Sequence, residues 1–479
     1  MNIKDKILTE IEKDKENTIG MFAQKDEYLK AFNKMNIISK DIEKFKEYPE
    51  WLFENFNYEI YKNDYNSSLN SNINIKNTLE EIPKNANIIV SINGYFIKEY
   101  TKLVSSDFIV LSIADEIKGT SKKSFCHTAL DAVFPINKGI PCQARNDRNE
   151  INGIFRGDFN KDCYGIENQF AKFYEGNKNQ LSILNNLLSR DGIYINISSN
   201  SKIDTPIYLL NIVDELDNNY FINSRKLINV GSNSSVNIVE IDLVYSQFNT
   251  LYSDLFLLHL EENSNANYSK MFFNPKANKS LNNKISFVNN CGYKIDKNAN
   301  LVVNTITIGT DYNKNDSFAK LENDHSSLNH SFFALTNNDK IVDLKSTIYH
   351  KAPNTQSNQL IKVVANDNSK MYFDGKIIIE NKSENSSATQ NSRAILLSND
   401  AKVHFQPQLE IYNDDIKATH GSAIGNLEDD LLFYLQSRGI DNEIAKKLLL
   451  TAFALDVINQ SAAANYLKEY AVNELAENV

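Results

Sequence analysis

A short unit that recurs from about Gly192 onward constrains the fold of this chain more than any other feature. Asn or Asp opens the unit, a small or polar residue and then a polar residue follow, and an apolar residue closes it. The copies are Asn200-Ser201-Lys202-Ile203, Asn233-Ser234-Ser235-Val236, Asn265-Ala266-Asn267-Tyr268, Asn298-Ala299-Asn300-Leu301, Asn338-Asp339-Lys340-Ile341, Asn368-Ser369-Lys370-Met371 and Asp400-Ala401-Lys402-Val403. Their opening residues lie 33, 32, 33, 40, 30 and 32 positions apart. Asn and Asp tolerate left-handed backbone and bond their own main chain, so each unit reads as a turn after which the apolar residue re-enters a core. Strand-like runs follow, among them NYSKMFF, NLVVNTITIG, KMYFDGKIII and KVHFQPQLEIY. Strands at this period, with no periodic helical partner, predict a β-solenoid in which each coil buries its face only against its neighbours.

With 479 residues the chain exceeds what a single core of about 250–300 residues uses, so several domains are expected. The boundaries expected are 1–87 for an N-terminal helical region and linker, 88–191 for a mixed α/β lead-in, 192–425 for the solenoid and 426–479 for a C-terminal helical domain. Ile7, Ile11, Tyr28, Phe32 and Met35 have irregular helical spacing, and YNSSLNSNINIKN, within residues 63–77, is a polar linker. In NIIVSINGYFIKEY the pair Asn93-Gly94 predicts a hairpin turn. Helical character returns between Ile166 and Leu188. Past the solenoid, Asn426 is the expected cap of a helix whose first turn holds Glu428, Asp429 and Asp430, and Gly439 stops it. Asp441 caps a second helix, whose stripe Ile444, Leu448, Ala452 and Leu455, with Leu449 and Phe453 alongside, is expected to pack on its own domain.

A formal net charge of −10 and a pI near 5.4 argue against nucleic-acid binding, which needs a basic face to displace phosphate counterions. The start, MNIKDKILTEIEKDKEN, has no secretory apolar core, and no run of about 18 apolar residues follows, so a cytoplasmic protein without membrane contact is expected. Cys126, Cys142, Cys163 and Cys291 lack CxxC spacing and read as buried reduced thiols. Cys126 beside His127 is a weak ligand pair, because neighbouring side chains diverge.

SRAILLSNDAKVHFQPQLEIYNDDIKATHGSAIG, followed by LFYLQSRGI, resembles the C-terminal signature of the SufB/SufD family, scaffold subunits of the Suf iron–sulfur cluster assembly machinery. His420-Gly421 is similar to the SufD branch. HKAPNTQSNQLIKVV, a Gly375 turn after Phe373, GIYINIS and TPIYLLNI extend the resemblance to about half the chain, strongest from Ser346 to Asn459. Near the N-terminus Glu50-Trp51 is followed by Leu52-Phe53 where the family has a Glu-x-Trp-Lys-Tyr type motif. The resemblance implies a mainly β fold, a right-handed parallel β-helix core flanked by N- and C-terminal α-helical regions. It further implies a non-catalytic scaffold that pairs with a SufB-like subunit through the β-helix, or with itself when isolated. A SufC-like ATPase would dock on the tail through residues among Leu431, Phe433, Tyr434, Arg438 and Phe453. ATP-driven pairing of SufC would strain the SufB–SufD contact and expose His420 with a SufB cysteine.

His420 is the principal site candidate, as a nascent-cluster or interface metal ligand acting with a partner cysteine. Taken alone, a histidine at a strand end is more often structural. By resemblance it helps form the nascent cluster, and a transient Fe–S cluster at the SufB interface is then expected, with no cofactor held tightly by this chain alone and flavin binding left open. Many SufD sequences carry cysteine where this chain has Ala418, so sulfur ligands must come from the partner. His325, His330, His350 and His404 match no chelating spacing, and His404 should face away from Val403 and Phe405. Two alternatives stand beside the SufD role: a SufB-like cluster scaffold, and a β-helix carbohydrate-active enzyme using Asp414-Asp415 and His420-Gly421. The second needs two carboxyls roughly 5–10 Å apart, whereas adjacent strand residues point to opposite faces, and a turn role for the two aspartates is simpler. No G-x-x-x-x-G-K-[ST] loop is present, so ATP hydrolysis belongs to a partner.

Overall fold

The computed structural model describes residues 82–114, 180–273 apart from 215 and 247, 284–463 and 465–477, with short pieces at 9, 30, 38–39, 48–49 and 59–60. Apart from those short pieces and 82–87, the expected N-terminal helical region lies outside the described residues, as do the linker at 63–77, the Cys126-His127 pair, Cys142 and Cys163. Strands β1 (Asn87–Ile92), β2 (Tyr95–Phe96) and β3 (Phe108–Ser112) precede helix α1 (Gln180–Leu188). Then come β4 (Ile193–Ile197), β5 (Ile207–Val213), β6 (Tyr220–Val230), β7 (Ser235–Val244), β8 (Thr250–Leu260), β9 (Asn265–Phe273), β10 (Ile285–Ile295) and β11 (Asn300–Ile308). The series continues with β12 (Tyr312–Leu321), β13 (Ser327–Thr336), β14 (Ile341–His350), β15 (Gln356–Ala365), β16 (Lys370–Ile379), β17 (Ser386–Leu396), β18 (Lys402–Ile411) and β19 (Ile416–Gly425). Helices α2 (Asp429–Ser437), α3 (Asn442–Ile458) and α4 (Asn465–Glu477) follow. Among the described residues no helix is long and apolar enough to cross a membrane.

The strands alternate between two sheets. The back sheet runs β2-β1-β5-β7-β9-β11-β13-β15-β17-β19, and the front sheet runs β3-β4-β6-β8-β10-β12-β14-β16-β18, with Glu59–Ile60 added on β6. From β4 and β5 onward each strand pairs in parallel with the strand two places along, so two strands and two corners make a coil, and about seven coils lie between Tyr220 and Gly425. This is the expected parallel β-solenoid. Its back sheet begins upstream of residue 192, because β1 pairs in parallel with β5. The β1–β2 hairpin forms where the sequence places it, with Asn93 at φ 50 and Gly94 at φ 87, the two positive values such a turn requires.

Left-handed asparagines build the corner that leads from front to back sheet. Asn200, Asn233, Asn263, Asn298, His325, Asn354 and Asn385 all sit there at φ between 54 and 63. The amide of Asn233 donates to Asn200 (3.0 Å), Asn263 to Asn233 (3.0 Å), Asn298 to Asn263 (2.9 Å) and Asn385 to Asn354 (2.6 Å). His325 interrupts this ladder, and Asn354 bonds Asp324 instead (2.8 Å). The other corner uses Gly309, Asn338 and Asp367, also at positive φ. The seven-fold sequence unit therefore combined two tracks. Its first four copies follow the front-to-back corner and its last three the back-to-front corner, and the 40-residue interval marks the change. The same Asn chemistry serves either corner, so sequence alone could not tell them apart. Gly375 is a second correction: it lies inside β16, between Ser346 and Pro407 of the neighbouring strands, and makes no turn.

The coil interior is not uniformly apolar. In the first coils Lys226 contacts Glu240 (3.0 Å) and Asp254 (2.7 Å), and Lys270 contacts Glu240 (2.7 Å), Asp254 (2.9 Å) and Asp242 (3.3 Å), every side chain at most 1% exposed. Tyr268 donates to Glu240 (2.7 Å), and Asn211 donates to Glu240 (2.8 Å) and Asp242 (2.6 Å). Burial alone would raise the Glu240 carboxyl, but Lys226 and Lys270 overcome it and hold it down at about 2. Burial wins at Asp242, whose carboxyl is pushed up to about 6 against the pull of Lys270. Later coils fill with Phe332, Leu344, Ile361, Val363 and Phe373 instead.

The C-terminal helices lie on the outer surface of the back sheet. Leu450, Ala454, Val457 and Ile458 of α3 pack with Phe333, Leu335 and Val364, and each fully buried large side chain contributes roughly 1.5–3 kcal/mol. Lys362 holds the helix from below, donating to the Phe453 carbonyl (2.9 Å), standing 4.6 Å from the Phe453 ring centroid and pairing with Asp456. Asn304 donates to the Val457 carbonyl (2.7 Å). The buried side of α3 is thus not the stripe expected from spacing, since Ile444 and Leu448 are exposed. Apolar residues surround this helix, and the side with Ala445 and Ala454 allows the closer approach. Asp441 caps α3 by accepting from the Glu443 amide (2.9 Å), and Gly439 ends α2 at φ 85, both as expected. Asn426 does not cap α2: the cap position is Glu428, with no side-chain bond.

Removing one cation from the interior cluster leaves carboxylates buried without compensation, which costs about 3–5 kcal/mol. Lys270→Met should therefore lower the urea midpoint by that free energy at neutral pH, measured by circular dichroism. Little change would mean that the carboxyls take up protons and the lysine is dispensable.

Candidate functional site at the open end of the solenoid

The last coil is open. β18 and β19 are the terminal strands of their sheets, each paired on one side only among the described residues, so their outer main-chain groups are available to another strand. Exposed large apolar side chains concentrate in the part of the chain that forms and follows this end. Of ten exposed ones among the described residues, eight lie between 411 and 448: Ile411, Tyr412 and Ile424 on or beside the terminal strands, Leu431, Phe433 and Tyr434 on α2, and Ile444 and Leu448 on α3. Phe433 is 71% exposed, and no residue of α2 is buried. Such a concentration marks a contact surface.

His420 sits mid-strand in β19, exposed, rather than at a strand end. Its registered neighbour is Gln390 of β17, and the same inward column continues through Gln359 and His330. Ala418, two residues before it, packs on the interior cluster and shares the face of His420. Gly421 has an ordinary φ, and an added Cβ would meet only the Asn391 side chain, at 3.3 Å, so this chain by itself does not require glycine there. Asp414 and Asp415 occupy the β18–β19 turn, where the Asp415 amide donates to Asn413 (2.8 Å) and its carbonyl accepts from Asn385. Turn formation accounts for both, and a glycosidase pairing gains no support from them.

The other candidates separate cleanly. His350 is buried, its ring nitrogens bonded to Thr355 and Ser357 at 2.8 Å each, and His330 is buried beneath Tyr293. His325 is a corner residue 3.6 Å from Asp324, and His404 faces outward from Val403 and Phe405 as expected. Cys291 is a buried free thiol, pushed up to about 12 by burial. Among the described residues no three His, Cys, Asp or Glu side chains are grouped to hold a metal ion. In the tail, Leu431, Phe433, Tyr434 and Arg438 are exposed, with Arg438 lying 5.3 Å from the Tyr434 ring. Phe453 differs from these four: it packs inward on its own back sheet. Sequence reasoning missed Ile411, Tyr412 and Ile424, and also Gln359 and Gln390. Strand alternation could have flagged the glutamines, because they share the inward parity of Leu328 and Ala388.

Comparison with known proteins adds a family. Residues 213–453, half of the chain, match the family described as SUF system FeS cluster assembly, SufBD core domain. Protein ABCI7, chloroplastic, of Arabidopsis thaliana is 39% identical over 129 residues, covering 27% of each chain. An iron–sulfur cluster assembly SufBD family protein of Synechocystis is 34% identical over 26% of this chain and 28% of its own. The iron–sulfur cluster assembly protein SufD of Escherichia coli is 22% identical over 74% of this chain and 81% of its own length. The first two matches thus span about a quarter of those relatives, the third most of its length.

Burial pushes His330 and His350 down to about 4, below the ordinary histidine value of 6.5. Unfolded chains therefore take up protons first on acidification. Each ring's contribution is complete above pH 6.5 and lost as pH falls toward 4, by up to about 3 kcal/mol per ring. His350→Gln should flatten the decline of the denaturation midpoint between pH 6.5 and 4, followed by urea titration; an unchanged slope would exclude His350 as a source.

Proposed function

The chain belongs to the SufBD family of the SUF iron–sulfur cluster assembly system, and from that premise we propose that it is a SufD-type scaffold subunit with no catalytic activity of its own. A SufB-like subunit adds its own strands to the open edges of β18 and β19. A SufC-like ATPase docks on the exposed apolar surface of α2 and the outer side of α3. The nascent Fe–S cluster is cargo at the SufB contact, where His420 offers an imidazole nitrogen and the partner supplies thiolate sulfur, since Ala418 offers none. ATP-driven rearrangement of SufC strains this contact and opens it for loading. The working location in this reading is the cytoplasm.

One observation carries the proposal: the exposed apolar Ile411, Tyr412 and Ile424, the strand edges left unpaired among the described residues and His420 occur together on the last coil, and the exposed apolar residues of α2 follow it directly in the chain. A solenoid that worked alone would need that end covered or charged. Phe433, Tyr434 and Arg438 form an aromatic and cationic surface suited to a protein partner. Phe453 serves the tail from beneath, fixing α3 on the sheet.

Iron and acid-labile sulfide in the co-expressed complex with SufB and SufC homologues test this directly. His420→Ala should leave the complex intact and empty it of both elements. Unchanged loading would make His420 structural, and failure of the wild-type chains to associate would remove the scaffold role. Phe433→Ala combined with Tyr434→Ala should abolish co-purification of the ATPase while SufB pairing and the melting temperature stay as in wild type; retained ATPase would place its dock elsewhere.

A further inference from the structure

Beneath His420 the solenoid interior carries a directed chain of side-chain hydrogen bonds. Gln359 Nε2 donates to Ser346 Oγ (2.7 Å), and Gln390 Nε2 donates to Gln359 Oε1 (2.6 Å). Both glutamines are fully buried. This order engages the donor end of Gln390 with the coil before it and leaves its acceptor, Oε1, as the end the chain of bonds does not use. Gln390 Oε1 is buried with no hydrogen-bond partner among the described residues, and so is Ser392 Oγ, the next inward polar group of β17. The residues registered over these two are His420 and Ser422 of β19.

The front sheet makes room for this arrangement. A Cβ on Gly375 would stand 2.3 Å from Gln390 Nε2 and equally 2.3 Å from Phe373 Cζ, so the glycine leaves room for both the amide and the ring where they lie. A buried carbonyl oxygen left unpaired costs on the order of 1–3 kcal/mol and calls for an explanation; here the residue registered over it, His420, carries a donor. Neighbouring strands are about 4.8 Å apart, so side-chain rotation of His420 reaches Gln390 Oε1 without moving the backbone. A neutral imidazole has one N–H and one lone pair, and fixing the first directs the second.

We propose that Gln390 is the positioning residue of His420: its Oε1 accepts the ring N–H, and the unprotonated ring nitrogen is thereby directed out of the open coil, toward the incoming metal ion. Gln359, Ser346 and Gly375 hold the amide in that orientation. This rests on His420 being the interface ligand, but its test needs no cluster.

The tautomer of His420 is read from long-range nitrogen–proton spectra of the ¹⁵N-histidine-labelled full chain at alkaline pH, with the signal assigned through His420→Gln. Wild type should show one tautomer. Gln390→Leu should give the mixture of an unrestrained ring, and Gly375→Ala should do the same while glutamine is still present, because it displaces the amide. In the complex with SufB and SufC homologues, Gln390→Leu should weaken iron binding roughly 10–100-fold. A wild-type mixture, or a tautomer indifferent to Gln390→Leu and Gly375→Ala in chains of native circular dichroism, overturns the proposal. Tautomer selection that depends on Gln390, together with iron loading that survives His420→Ala, would keep the positioning role and remove the ligand role of His420.

Discussion

No coil of this solenoid can satisfy its own main chain. Each strand finds its hydrogen-bond partners in the coils before and after it, and from that dependence the other features follow. Strands must run parallel and in register, so every coil has to turn twice within a few residues. Such corners need a residue that accepts left-handed backbone, and asparagine adds an amide that bonds its counterpart one coil away. In-register stacking also places equivalent side chains directly above one another. An inward polar residue is then tolerable only when the coils on either side answer it.

The interior meets that condition in two ways. Near the beginning, two lysines and three carboxylates close into a compact set with Tyr268 and Asn211, leaving little charge uncompensated. Replacing such a set by apolar side chains is often neutral for stability, so its stronger effect is on register: a slipped strand would bury an unpaired ion. Toward the other end the filling is aromatic and aliphatic, crossed by the thread of Gln359 and Gln390. That thread runs out at the last coil, where no further strand among the described residues lies above His420.

The sequence disclosed the architecture because turn chemistry is local. Asn200, Asn233 and Asn298 are recognisable without a neighbour, and so is the hairpin at Asn93-Gly94. It did not disclose which corner a turn belonged to, since that depends on which sheet the chain has just left. The exposed side of α3 was misread for a related reason: with apolar residues all around the helix, the choice between Ile444 and Ala445 is made by the sheet it meets. At the candidate site, His420 was named from a resemblance, whereas Gln390 was passed over: strand alternation places it inward but says nothing of its bonds. Its meaning lies in an acceptor left over after a chain of bonds through residues 31 and 44 positions upstream. Gly375 looked like a turn because the space it leaves open belongs to a strand of the opposite sheet.

The open terminal strands have a consequence for how partners are chosen. A strand edge offers only amides and carbonyls at a fixed spacing, and that pattern is the same for every strand of matching pitch. Main-chain pairing at edges like those of β18 and β19 would supply adhesion without identity: it would accept another copy of this chain as readily as a different subunit. Recognition is left to the few side chains that project beyond the edge, such as Tyr412, Ile424 and His420. Under that division of labour, a lineage can trade a symmetric pair for an asymmetric one by altering a handful of positions, while the solenoid that presents them stays the same.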